Sequence, residues 1–285
     1  MKREIAFGVG VALLMTLGLG GCSSDKKERK QALGQLQSYV VEGAFEQAIP
    51  LADSIDSVWA SDLALREEAL AWRRKALSQK YTFLLDSIEQ ALEGLQVRLD
   101  SLEEKMVFIP ESETQEAKYC AQNHRQVPTQ MGNYLYASAH PKGFLSLTHY
   151  YIGSRPLKYD AIGLTSSQEI AVRSRVFDTG DDHNHTFTAG GRHHATLQLP
   201  PNDSYALGLY VYMCYQDSVP LRVELHHEGK VVTRYTLSRA DQKPLAETFL
   251  FAQWVQQRES LKARYTRYQK ALGQLTEKAP LAPRS

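Results

Sequence analysis

The chain has 285 residues, with 33 basic and 32 acidic side chains, 43% apolar residues and three cysteines. This length and apolar content support one or two domains with a buried core and exclude a disordered chain. The near-zero net charge argues against a nucleic-acid-binding protein, which normally carries excess basic side chains, and three cysteines are too few for a disulfide scaffold.

The N-terminal residues have the pattern of a lipoprotein signal peptide. Residues 2–3 are basic, residues 5–19 are apolar, and Gly20-Gly21 precedes Cys22. The apolar stretch is short and glycine-rich for a membrane span. The segment resembles a bacterial lipobox, which implies that residues 1–21 are removed and that Cys22 carries diacylglycerol at the mature N-terminus. An uncleaved anchor, or an ordinary signal peptide with an incidental cysteine, is the alternative.

The residues after the lipidated cysteine bear on location. Ser23 stands where well-studied lipoproteins of the inner membrane carry aspartate, so the resemblance implies the outer membrane. Asp25 is followed by Lys26-Lys27 and not by the acidic cluster of surface-exported lipoproteins, which favours the periplasmic face. Without residues 1–21, basic and acidic side chains are equal in number, so the mature chain is formally neutral.

Apolar residues have helical spacing between residues 26 and 106, where Pro50 is the only proline. We expect three helices, over residues 27–41, 44–55 and about 62–106. The first two form a helical hairpin broken at Gly43, and residues 42–49 resemble the inter-helix turn of a tetratricopeptide repeat. Only one such unit is visible, whereas a solenoid needs about three. A simple helical hairpin is therefore favoured.

Two apolar seams flank the middle of the chain. In the long helix, apolar residues alternate by three and four positions, at Leu85, Ile88, Leu92, Leu95, Leu99, Leu102 and Met106. The C-terminal segment has the same alternation, interrupted by Arg258, at Phe251, Trp254, Leu261, Tyr265, Tyr268, Leu272 and Leu275. Such a narrow seam must be covered by another helix. We expect the C-terminal helix to return along the 62–106 helix as an antiparallel coiled coil, with a homodimeric coiled coil as the competing prediction; monomer and dimer both stay open.

The middle of the chain changes to a two-residue period. Turn residues separate eight candidate strands, over residues 133–138, 144–152, 157–164, 169–177, 192–199, 206–215, 221–227 and 230–237. Strands without intervening helices predict an antiparallel, sandwich-like β-domain. Residues 206–215 are apolar on both alternating faces, which predicts a central strand.

Together these elements predict an α+β fold. Its segments are a signal peptide over 1–21, a helical hairpin and long helix over 22–106, a β-domain over 107–238, and a C-terminal helix with a short tail over 239–285.

Several motifs resemble uncharacterised lipoproteins of the Bacteroidota. Those in the helical part are Ala52-Asp53-Ser54-Ile55, residues 66–70 and Leu85-Asp86-Ser87. Those at the start of the β-domain are residues 134–137, Leu147 and residues 150–153. The resemblance covers most of the mature chain and implies its architecture and envelope location. It implies no activity.

Sequence motifs for catalysis are missing. The chain has no Gly-x-Ser-x-Gly elbow, Walker loop, His-Glu-x-x-His helix or Cys-x-x-Cys pair. Catalytic triads are assembled in space, so this alone does not exclude an enzyme. We nevertheless expect a non-catalytic protein.

A histidine-rich segment is the strongest candidate for a ligand site. Asp181, Asp182, His183 and His185 precede a glycine turn, and His194 follows it. In a hairpin with a two-residue turn the three histidines share one face, with the carboxylates nearby. Imidazole and carboxylate groups are ligands for zinc and other divalent ions. The competing interpretation is a solvated polar hairpin, and no other cofactor is expected.

Two cysteines and one histidine have alternative structural roles. Cys120 and Cys214 either pair as a disulfide in an oxidising periplasm or remain two buried thiols. His149 alternates with Leu145 and Leu147, which predicts a core histidine with a hydrogen-bond partner.

These patterns predict a lipoprotein anchored in the bilayer through acylated Cys22. We expect it to present its β-domain on a helical stalk to an envelope protein partner, without nucleic acid. The alternative is a ligand-binding lipoprotein, for a divalent metal at the histidine segment or for a cell-envelope glycan.

Overall fold

Five α-helices and two antiparallel sheets make up the part of the chain that the computed structural model describes, residues 22–113, 116–166 and 171–277. The predicted signal peptide, residues 1–21, and the side chain of Cys22 lie outside the described residues. The predicted α+β class is confirmed.

Four helices begin and end close to the predicted positions, and a fifth, α4, was not predicted. They are α1 (Cys22–Val41), α2 (Phe45–Val58), α3 (Leu63–Glu103), α4 (Pro201–Gln216) and α5 (Arg239–Glu277), and a 3-10 helix covers Gln122–His124. Gly43 has a φ of +73° in the turn between α1 and α2, a conformation that glycine adopts without steric cost. The long helix ends at Glu103, so the last residue of its predicted seam, Met106, lies in a strand instead.

The strands are β1 (Met106–Ile109), β2 (Lys118–Ala121), β3 (Gly132–Ala139), β4 (Leu145–Gly153), β5 (Ala161–Ser166), β6 (Ala171–Arg173), β7 (Asn184–Ala189), β8 (Arg192–Gln198), β9 (Leu221–His227) and β10 (Lys230–Leu237). One sheet has the order β1-β2-β3-β4-β8-β7, and the other has the order β10-β9-β5-β6. The predicted strands at 157–164 and 169–177 are found as the shorter β5 and β6. The strands β1, β2 and β7 were not predicted.

The chain divides into two compact units. The described residues up to 84 and from 269 belong to the first, and residues 85–268 to the second. In the first unit, α1, α2 and the start of α3 bury a core in which small side chains alternate with larger ones: Leu36, Val40, Ala48, Ala52, Ile55, Ala69 and Ala76. Alanines at the contacts let the helix axes approach closely. Arg29 forms ion pairs with Asp25 and Asp62 at the edge of this core.

The second unit has one core that draws on both sheets and three helices. Its buried members include Leu95, Leu99, Leu102, Leu135, Leu147, Ile162, Leu164, Leu197, Leu207, Val211, Val223, Leu225, Phe249, Phe251 and Val255. Residues of α3 and α5 within this unit thus share a core, and Tyr265 donates a hydrogen bond of 2.7 Å to Glu89 Oε1 between the same two helices.

The prediction of a strand over residues 206–215 is wrong, because these residues lie in α4. The segment is apolar on every side, and such a run does not distinguish a buried strand from a helix. The overlooked signal was Pro201, which occupies the first helical turn, where a missing N–H has no cost. Gly208 lets α4 approach the sheet closely, since a Cβ atom there would lie 2.5 Å from Leu145 Cδ2.

Candidate functional site

The histidine-rich hairpin is formed by β7 and β8. Gly190 and Gly191 make its two-residue turn with φ values of +58° and +72°, as a type I′ turn requires. The register pairs Phe187 with His194 and His185 with Thr196, so these two histidines lie on the same face. His185 and His194 thus keep the predicted shared face, whereas His183 lies before the start of β7 and is not part of the paired strands.

The predicted metal ligands contact other groups instead of one another. His194 stacks on Phe187 with 4.7 Å between ring centroids, and the ring of His183 packs edge-on against Phe177 at 5.5 Å. His185 Nε2 lies 2.9 Å from the carbonyl oxygen of Asp182. Within the described ranges, no group of three or more His, Cys, Asp or Glu side chains is placed to hold a metal ion.

The exposed carboxylates Asp181 and Asp182 therefore do not complete a ligand set with His183, His185 and His194. Zinc or another divalent ion at this hairpin stays a prediction that no assembled site supports.

The two candidate disulfide partners are separate buried thiols in this structure. Cys120 lies in β2 and Cys214 in α4, and neither is bonded. The Cys120 thiol lies 3.9 Å from the carbonyl oxygen of Val107. Burial raises the pKa of both thiols, which disfavours the reactive thiolate.

The prediction of a core histidine at position 149 is confirmed. His149 is fully buried, and its Nδ1 atom lies 2.8 Å from the hydroxyl of Tyr159. It belongs to the packed interior and not to a ligand site.

Large apolar side chains are exposed on the outer side of α4. Tyr205, Leu209 and Met213 follow one another at four-residue spacing and are 42%, 37% and 52% exposed. Phe144, in the turn between β3 and β4, adds a ring that is 48% exposed. We call these four residues the α4 face.

Charge is absent from the exposed side of this helix. Asp203 is the only Asp, Glu, Lys, Arg or His among the sixteen residues of α4, and it is 8% exposed. Its carboxylate accepts hydrogen bonds from the backbone N–H of Arg175 at 2.8 Å and from its guanidinium at 2.9 Å. A helix at a protein surface normally carries charged side chains outward. The composition of α4 is instead that of a helix covered on both sides.

A groove of about 180 Å³ runs beside the α4 face. Phe144 and Tyr205 line it together with Phe249 of α5, and the Tyr205 and Phe249 ring centroids lie 5.5 Å apart. The amides of Asn202 and Gln253 complete the wall. The groove is thus lined by aromatic rings and by uncharged polar side chains.

α4 is held in place by hydrogen bonds from its first turn. Ser204 Oγ accepts from the backbone N–H of Leu147 at 2.9 Å and donates to the carbonyl of Leu199 at 2.8 Å. These bonds give partners to a backbone N–H of β4 and to a backbone carbonyl just after β8. They hold α4 against β4, and this fixes the direction in which Tyr205, Leu209 and Met213 face. Sequence reasoning missed this face because it assigned the segment to a strand.

Comparisons with protein-family models, with characterised proteins and with solved structures find no match to this chain. None of the helices in the described part of the chain is sufficiently long and apolar to span a bilayer.

Proposed function

We propose that this chain is a non-catalytic bacterial envelope lipoprotein that binds a protein partner through the α4 face. The proposal rests on the uncharged outer side of α4, where Tyr205, Leu209 and Met213 are exposed at four-residue spacing. A contiguous apolar surface of this kind is typical of interaction sites.

The chemistry of the α4 face fits a protein partner. Aromatic residues and methionine are enriched at protein interfaces, and charged residues are depleted at their centres. The groove beside Phe144 and Tyr205 has the volume of a large side chain, so it suits one apolar anchor residue of the partner. The amides of Asn202 and Gln253 supply rim hydrogen bonds.

We further propose that α3 and α5 pair as an antiparallel coiled coil and that the two sheets form a sandwich. The shared core of Leu99, Phe251 and Val255 supports the pairing, as does the hydrogen bond between Tyr265 and Glu89. Core residues from both sheets support the sandwich. The alternative is a homodimeric coiled coil, in which the apolar seams pair with those of a second copy of the chain.

Membrane anchoring is proposed through Cys22, with the outer membrane and its periplasmic face as the location. Metabolic labelling with palmitate tests the anchor: the wild-type chain should incorporate the label, and the Cys22→Ser variant should not. Label in both proteins would contradict lipidation at this cysteine.

Binding through the α4 face is tested by affinity purification from detergent-solubilised cells. Leu209→Glu and Met213→Glu place a charge in the proposed interface and should abolish recovery of the partner. Lys230→Glu is the matched control, because Lys230 is exposed at the start of β10 in the four-stranded sheet, outside the α4 face. This variant should still recover the partner. Equal recovery with all three variants would contradict the proposal.

A further inference from the structure

The outer edge of the histidine-rich hairpin is unpaired. β7 pairs with β8 on one side and is the last strand of its sheet, so the structure describes no strand on its other side. All residues of β7 after Asn184 are exposed, and Phe187 is 55% exposed. The unpaired edge of a strand is a template for pairing with another strand.

The other sheet edges in the described part of the chain carry protective features that β7 does not have. β1 and β6 have only four and three residues. β10 has eight residues, but its register is irregular after Val231 and it carries the basic side chains of Lys230 and Arg234. Short length, bulges and charged side chains all hinder pairing at an edge. β7 has six residues in continuous register with β8, and none of them is Lys, Arg, Asp, Glu or Pro.

The register of the hairpin determines which backbone groups of β7 face outward. The two-residue turn makes Ala189 and Arg192 a hydrogen-bonded pair, and such pairs alternate with non-hydrogen-bonded pairs along an antiparallel ladder. The backbone groups of the odd-numbered residues of β7 therefore point towards β8. Those of Asn184, Thr186 and Thr188 point away from it.

The loop before β7 already supplies partners to the first of these residues. The N–H of Asn184 donates to the carbonyl of Asp181, and its carbonyl accepts from the N–H of Gly180, both at 3.0 Å. Among the described residues, no backbone hydrogen bond reaches the outward N–H and C=O groups of Thr186 and Thr188. These two residues thus present two donors and two acceptors at the exposed edge.

The outward groups of β7 are complementary to those of a second β7. When two copies pair antiparallel about a two-fold axis at Phe187, Thr186 of each copy lies opposite Thr188 of the other. Both are hydrogen-bonded pairs, so every outward donor and acceptor of the two residues gains a partner. A two-fold axis at Thr186 would instead pair Thr188 with Asn184, whose groups are already used. An axis at Thr188 would pair Thr186 with Gly190 in the turn.

The side chains of β7 also match in this register. Phe187 lies opposite its own copy in a non-hydrogen-bonded pair, where side chains are closest, and aromatic cross-strand pairs stabilise a sheet. Because Phe187 stacks on His194 with 4.7 Å between ring centroids, the pairing forms a row of four rings across four strands. Threonine lies opposite threonine on either side of this row. No like charges oppose each other, since β7 has no charged residue.

We propose that β7 pairs antiparallel with the β7 strand of a second copy of this chain, with Phe187 at the two-fold axis. The second copy is the partner because Thr186-Phe187-Thr188 is symmetric about its centre and matches itself in charge, side chains and backbone register. Four backbone hydrogen bonds and one aromatic pair make a small interface, and small interfaces give weak, reversible complexes. β7 lies outside the α4 face, and the inference does not depend on the proposed function.

Matched substitutions at Thr188 test the backbone pairing. Sedimentation equilibrium of the purified chain, carrying Cys22→Ala so that no acyl chain is attached, should show a concentration-dependent equilibrium between monomer and dimer. Thr188→Pro removes an outward N–H that the β7–β8 ladder does not use, and it should weaken the dimer at least about tenfold. Thr188→Ala is the control, because it removes the hydroxyl but keeps the N–H, and it should still dimerise. Thermal melting of both variants checks that they fold.

Cysteine trapping in the same Cys22→Ala background tests the register without relying on the proline variant. The Cα atoms of the two Phe187 residues should lie about 4.5 Å apart, within the range of about 4.4–6.8 Å that a disulfide spans. Phe187→Cys should therefore give a disulfide-linked dimer on mild oxidation. Thr186→Cys is the matched control on the same exposed strand. Its two copies are diagonal neighbours about 7–8 Å apart, so this variant should stay monomeric.

Three results would overturn the inference. The first is a chain that stays monomeric and gives no Phe187→Cys disulfide, which would leave the edge to an extended segment of another protein. The second is a dimer that Thr188→Pro does not weaken, as expected of a coiled-coil dimer. The third is a Thr186→Cys variant that forms disulfide-linked dimers as readily as Phe187→Cys.

Discussion

The Nδ1 atom of His149 lies 2.8 Å from the hydroxyl oxygen of Tyr159, and neither side chain is more than 2% exposed. His149 belongs to β4 of the six-stranded sheet, and Tyr159 comes just before β5 of the four-stranded sheet. The ring of Tyr235 in β10 also packs on His149, with 5.8 Å between centroids. A polar contact thus links the two sheets inside an apolar core.

This burial predicts a pH dependence of stability. Burial lowers the pKa of His149 to about 3 in the folded protein, whereas an unfolded histidine titrates near pH 6.5. Below about pH 6.5 His149 takes up a proton in the unfolded state but not in the folded state. The contribution of this histidine to the free energy of unfolding is therefore fully present above this pH and is lost as the pH falls. Between pH 7 and pH 5, protonation of His149 in the unfolded state lowers the free energy of unfolding by about 2 kcal/mol.

Urea unfolding of the His149→Gln variant checks this contribution. The variant is expected to be less stable at pH 7, because it loses ring packing, but its stability should fall by about 2 kcal/mol less between pH 7 and pH 5. An identical pH dependence in wild type and variant would show that His149 does not titrate with folding.

Tyr159→Phe should destabilise the protein by about 1–3 kcal/mol, because it leaves His149 Nδ1 buried without a partner. Tyr235→Phe is the matched change, since the Tyr235 hydroxyl has no hydrogen bond in the described structure and its removal should be neutral or stabilising. Equilibrium unfolding in urea at pH 7 measures both. The expected order would be contradicted if Tyr235→Phe cost as much as Tyr159→Phe.

Gly143→Ala should be strongly destabilising. Gly143 has a φ of +87°, and a Cβ atom there would lie 2.6 Å from the backbone nitrogen of Gln256. The left-handed backbone and the overlap with α5 together cost about 2–5 kcal/mol. Gly190→Ala, at a φ of +58° with open space around it, should cost only about 1–2 kcal/mol. Equal costs in urea unfolding would mean that the turn at Gly143 does not contact α5.

Cys120 and Cys214 should titrate as two free thiols. In a Cys22→Ala variant without reductant, Ellman's reagent should react slowly with the native protein, because both thiols are buried with raised pKa values. Both should react at once in denaturant. Thiols that are detected only after reduction would instead show a disulfide.

Local patterns in the sequence predicted much of this fold. The helix spacing predicted α1, α2, α3 and α5, and the turn Glu228-Gly229 allowed the limits of β9 and β10 to be predicted, since both residues adopt positive φ. β7 was missed because all its residues after Asn184 are exposed, which removes the alternation that marks a half-buried strand.

The candidate sites could not be predicted in the same way. The residues of the groove beside the α4 face, such as Phe144 and Phe249, come from distant parts of the chain, and only tertiary packing brings them together. The α4 face was not predicted, because an apolar run does not distinguish a buried strand from a helix. The shared face of His185 and His194 followed from hairpin register, but the contact of His194 with Phe187 depends on ring orientation, which no spacing rule gives.

Position-specific photo-crosslinking in intact cells tests most directly whether the α4 face binds a protein partner. A photo-reactive amino acid at Met213 should give one discrete crosslinked product, and the same amino acid at exposed Lys230 should not. The product should disappear when Leu209→Glu is added. No product from Met213, or the same product from both positions, would contradict the claim.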